Sequence, residues 1–247
     1  MKKDCKSWYN DYVIAFRNPL DMLSTNVSKI VFDNIREEIG PFTVTVYPAQ
    51  DTSLSKLNIS SMKVNLIIEV LPNNAFLVGG SFDKDTKWLE VNVKIDKNNF
   101  SESFYNNLYI GIREAIRHEL EHARFQVDNP SHNPNYIVDE KFDRLPSEEK
   151  IKVTTNYLND LSETDSIIRQ CMTNAKFKKS NFLSVLSSMI WYFLYTRAGI
   201  NYSIVDVKNN RRLGNEEARN MLIRFNQILS RYKERAFVIY PELNRGK

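Results

Sequence analysis

The chain has 247 residues, 42% hydrophobic and 26% charged, with a formal net charge of +4; this is an ordinary globular composition with material for a substantial core. Glycine is scarce at 7 residues, and no GxxxxGK[ST] or GxGxxG pattern occurs, which sets aside Gly-rich phosphate loops and long flexible linkers. The 2 cysteines, Cys5 and Cys171, form no CxxC pair or disulfide framework, and the basic runs at Lys176–Lys179 and Arg211-Arg212 are too short to favour nucleic acid as a partner over solvated surface.

The first forty residues read as mostly helical, with apolar positions at Trp8, Tyr12, Phe16 and then Val27, Ile30, Val31 and Ile35, and Gly40-Pro41 ends the region. Strand character follows at Phe42–Ala49, Lys63–Leu71 and Lys87–Asp96. The third alternates Trp88, Glu90, Asn92, Lys94 against Leu89, Val91, Val93, Ile95. Asn73-Asn74 and Gly79-Gly80 are expected to be turns around a further short strand at Ala75–Val78. From Ser101 the period lengthens. Phe104, Leu108, Ile112, Ile116 and Leu120 recur every four residues and predict a helix to about Gln126 or Val127. Asp128–Tyr136 is a Pro- and Asn-rich loop, and helices are expected at Ser147–Leu158, Ser162–Lys176, Ser180–Ala198 and Asn215–Phe237. The most apolar stretch, Phe182–Ala198, contains three serines, is short for a membrane span and reads as a core helix. The N-terminus lacks the apolar run of a signal peptide, so an intracellular, reducing setting with no membrane partner is expected. A small sheet between helical segments is an α+β arrangement.

The chemistry lies in HELEH at 118–122. On a helix, residues i and i+4 share a face, so His118 and His122 can offer two imidazole nitrogens to one metal. Glu119 stands beside them, where a carboxylate can take a proton from an attacking water. The competing reading is a solvated helix face, in which Glu114, Arg117, Glu121 and Arg124 form ion pairs. Catalytic zinc takes three protein ligands. His132, ten residues past His122, lacks the HxxGxxH continuation. Glu163 is the better third ligand, near the start of a predicted helix capped by Ser162 or Asp160, although an acid in a first turn also suits the helix dipole.

HExxH followed by a helix bearing ExxA or ExxS resembles the gluzincin group of zinc metallopeptidases, whose third ligand is the leading Glu, here Glu163. More narrowly, HELEHARFQ followed by YLNDLSETDSIIRQCMTNAK is similar to metallopeptidase-like proteins encoded by tailed bacteriophages. Tyr157-Leu158, Glu163, Asp165, Ser166, Arg169 and Ala175-Lys176 fall in the places of that pattern. Gln126 comes one place late, Asp165 replaces a Glu, and Ser166 replaces an Ala. RYKERAFVIYP, Arg231–Pro241, resembles the basic, aromatic, Pro-ended tail of those proteins.

The expectation is a single zincin-like α+β domain over 1–247, with helices, a small mainly antiparallel sheet and the HExxH helix in 1–126, and a helical half in 127–247 supplying Glu163. One Zn2+ per chain is expected on His118, His122 and Glu163. Water activated there, with Glu119 as general base, would cleave an amide of a peptide or protein substrate. Tyr157 and Arg169 are the candidate oxyanion donors. If phage-encoded, the protein is expected in the host-cell cytoplasm or the virion. The alternative is a catalytically silent zincin-fold protein with a virion or host protein partner.

Overall fold

The computed structural model describes residues 19–37, 40–71, 75–99, 101, 104–132, 142–209 and 214–244. The expected apolar positions Trp8, Tyr12 and Phe16, the turn at Asn73-Asn74 and the loop beyond His132 lie outside them. The backbone divides into two compact units, Met1–Ser131 and His132–Lys247.

In the first unit, helix α1 (Pro19–Glu37) buries Leu20, Leu23, Val27, Val31 and Ile35 along one stripe, while Ile30 is 48% exposed. Strand β1 (Phe42–Val46) and a short helix α2 (Thr52–Lys56), not foreseen, precede β2 (Ser61–Ile68), β3 (Phe76–Asp83) and β4 (Trp88–Ile95). The sheet order is β1-β2-β4-β3, a mixed sheet in which two of the three pairings are antiparallel. β1–β2 and β3–β4 run antiparallel, and β2–β4 runs parallel, leaving β1 and β3 as edges.

Gly79-Gly80 is not a turn. It lies inside β3, paired with Asn92 and Val91, because the strand continues through both glycines. The alternation expected in β4 is observed, with Leu89, Val91, Val93 and Ile95 buried. The outer face is polar, where Thr43 Oγ1 donates to Asn65 Oδ1 at 2.9 Å and Asn65 Nδ2 donates to Asn92 Oδ1 at 3.0 Å.

Helix α3 (Tyr105–Asp128) packs on α1, β3 and β4. It starts four residues later than Ser101, after Phe104 N–H bonds to the Ser101 carbonyl at 3.0 Å. Leu108, Ile112, Ile116, Leu120 and Ala123 join the inner sheet face and α1 in one core. Each such large side chain contributes about 1.5–3 kcal/mol on burial.

In the second unit, α4 (Ser147–Asn159) and α5 (Leu161–Phe177) are joined through Asp160 alone. Helix α6 (Phe182–Trp191) passes into a π-helical turn at Tyr192–Thr196, so the helix expected to Ala198 is interrupted, with Arg197 N–H bonding to the Tyr192 carbonyl at 2.9 Å. Helices α7 (Ile204–Lys208) and α8 (Asn215–Ile239) follow. Helices α5, α6 and α8 enclose a second core containing Ile168, Cys171, Leu186, Leu194 and Phe225. Within it Tyr195 donates to the Met221 carbonyl at 2.7 Å, and burial pushes its phenol up to about 12. No helix among the described residues is long and apolar enough to cross a membrane.

Candidate metal centre

The apolar stripe of α3 faces the sheet and so sets the azimuth of HELEH. Arg117 is buried and held by Asp21 of α1 at 2.7 Å and Glu121 at 2.7 Å; Arg124 reaches Glu121 at 2.6 Å and Asp128 at 2.6 Å. Burial opposes the charge on Arg117, but Glu121 and Asp21 outweigh it and raise its pKa. The ion pairs expected of Arg117, Glu121 and Arg124 therefore form, but Arg117 and Glu121 are buried rather than on a solvated face, and the two histidines are left to another face.

His118 and His122 are half-buried one turn apart, with rings at 77° and Nε2 atoms 3.0 Å apart. Neutral imidazoles at that distance either share a hydrogen bond or turn both lone pairs toward one cation. Two nitrogens bound to one tetrahedral zinc would stand about 3.3 Å apart. Glu119 is buried beside them, next to β3. A Cβ placed on Gly80 would stand 2.6 Å from Glu119 Cγ and 2.9 Å from Oε1. A Gly-Gly pair is a strong turn signal in a sequence; only strand pairing shows that the missing side chain of Gly80 makes room for Glu119.

Glu163 is 2% exposed in the first turn of α5. Asp160, rather than Ser162, caps this helix. Its Oδ1 accepts from Ser162 N at 2.9 Å, Ser162 Oγ at 2.6 Å and Glu163 N at 3.4 Å. His132 sits on the same cap, Nε2 lying 3.1 Å from Asp160 Oδ2 and 3.3 Å from Oδ1. The expected oxyanion donors make other contacts: Tyr157 packs on Phe193 with ring centroids 5.5 Å apart, and the Arg169 guanidinium lies 5.8 Å from the centre of the Tyr240 ring.

One ligand atom each from His118, His122 and Glu163 lies within 4.8 Å of the others, close enough to hold a metal ion. Two imidazole nitrogens and a carboxylate oxygen are a donor set that suits zinc, leaving a fourth tetrahedral position open, though other divalent ions accept the same donors. The chain matches no protein-family model, no curated protein and no solved structure.

Proposed function

We propose that the chain is a zinc-dependent metallopeptidase of the gluzincin kind, with one Zn2+ held by His118, His122 and Glu163. The observation that carries this reading is the convergence of those three donors within 4.8 Å, from residues that HExxH and the later ETDS segment single out. When bound, the metal is a Lewis acid that makes water more acidic and polarises a carbonyl. Glu119, fixed against Gly80, accepts the proton of the attacking water and later passes it to the leaving amine. Strand β3 is a sheet edge beside α3, and its outer backbone groups can pair with an extended peptide. Tyr157 and Arg169 are the residues to test as donors to the developing oxyanion. The resemblance to bacteriophage metallopeptidase-like proteins supports a phage-encoded enzyme acting in the host cytoplasm or the virion.

The test is metal content by plasma mass spectrometry on untagged protein, paired with hydrolysis of casein and of a mixed peptide library. We expect about one zinc per chain in the wild type and in Glu119→Gln, a loss of metal in Glu163→Ala, and hydrolysis in the wild type only. Absence of metal after incubation with zinc and dialysis would sink the site, and full hydrolysis by Glu119→Gln would remove the role of that carboxylate. Zinc bound without hydrolysis in the wild type would favour a metal-stabilised structural protein instead.

A further inference from the structure

The RYKER run at 231–235 is a motif that the three metal donors do not use. Within the second unit, its residues grip the corner where α4 passes into α5. Arg231 Nη2 donates to the side-chain oxygen of Asn159, the last residue of α4. One turn on, Arg235 makes a two-pronged pair with Asp165, Nε to Oδ1 at 2.6 Å and Nη2 to Oδ2 at 2.7 Å, with the Asp165 side chain 3% exposed. Between them in sequence, Tyr232 is buried, with Thr164 and Glu163 near its phenol. Positions i and i+4 share a helix face, so one stripe of α8 holds Asn159 and Asp165, and Glu163 lies between them in sequence.

Helical geometry supplies the consequence. Successive residues are about 100° apart around a helix. Asp165, held toward Arg235 of α8, and Glu163, two residues earlier, therefore leave α5 on nearly opposite sides. An acid in the first turn is favoured by the helix dipole whatever its partner, whereas a planar guanidinium on both carboxylate oxygens also fixes direction. We infer that Arg235 is a positioning residue for Glu163: its fork on Asp165 sets the roll of the first turn of α5, and with it the direction in which the Glu163 carboxylate is presented. This inference rests on the metal-centre reading above.

A lysine at 235 keeps the charge but loses the fork, which makes Arg235→Lys the discriminating variant. The double variant Asp165→Asn with Arg235→Gln removes both charges together and so avoids leaving a buried carboxylate unpaired. Zinc affinity is read by competition with a chromophoric chelator, and folding of the metal-free proteins by urea unfolding. The expected result is a zinc dissociation constant raised about 10- to 100-fold in both variants, with an altered visible spectrum of the cobalt-substituted protein. In a Glu163→Ala background, Arg235→Lys should not further weaken the low residual zinc affinity left to His118 and His122, because its effect runs through Glu163. Wild-type zinc affinity in both folded variants, or an equal loss with and without Glu163, overturns the inference while leaving the metal centre intact. A wild type that binds no zinc removes the metal reading and this role with it, and that failure shows in the wild-type measurement alone.

Discussion

At Gly80 the molecule has traded a side chain for a carboxylate, since even a methyl group would stand 2.6 Å from Glu119 Cγ. The clashing atoms are the outer part of a flexible side chain, so Gly80→Ala should spare the backbone and displace Glu119. A misplacement of about 1 Å at a reacting group costs on the order of 10²-fold in rate. The variant is therefore expected to keep its zinc and its unfolding midpoint while hydrolysis falls about 10²-fold. Unchanged hydrolysis would show that the Glu119 carboxylate need not occupy the place that Gly80 leaves for it. At the same scale, burial pushes the Tyr232 phenol well above its ordinary value, with the Glu163 carboxylate adding to the rise, so it remains a neutral O–H at any working pH.

Among the elements, the end of β4 carries a titratable tie. Asp96 Oδ2 accepts from Leu71 N at 3.0 Å, and its Oδ1 accepts from Asn98 N at 2.9 Å, fastening the chain after β2 to the end of β4. The Leu71 amide, then that of Asn98, hold its pKa below the ordinary 3.8. A carboxylate depressed in the folded state contributes stability that is fully present above its unfolded value and is lost as pH falls through the folded one. Asp96→Asn should therefore lower stability near neutrality and flatten the decline below about pH 4. Urea midpoints measured from pH 2 to pH 7 check this, and an identical acid decline in both proteins would refute it. Element boundaries were legible where period and punctuation agreed, as in α4, which begins at Ser147 after Pro146. They were not legible where several residues of one segment suit both a turn and a strand, as at Gly79-Gly80. The π turn after Trp191 has no sequence signature, because the apolar spacing of Phe182–Ala198 reads as one continuous helix.

For the whole molecule, each unit has its own core. A metal that binds only the folded chain stabilises it by mass action, by about 2.7 kcal/mol at a hundredfold excess over the dissociation constant. Calorimetry in zinc buffer should therefore show a higher melting temperature than in chelator, and His122→Ala should abolish the difference. Equal melting temperatures for the wild type in zinc and in chelator would mean that folding is not coupled to metal at this site.

The α+β order of elements, the helical setting of HELEH, and Glu163 as the acid in the first turn of a capped helix are all legible in the residues alone. These follow from periodicity and capping, which are local properties. That Gly80 faces Glu119, that His132 rests on the Asp160 cap, and that Arg235 grips Asp165 emerges in three dimensions alone, because each pairs residues from separate elements whose faces are chosen by core packing.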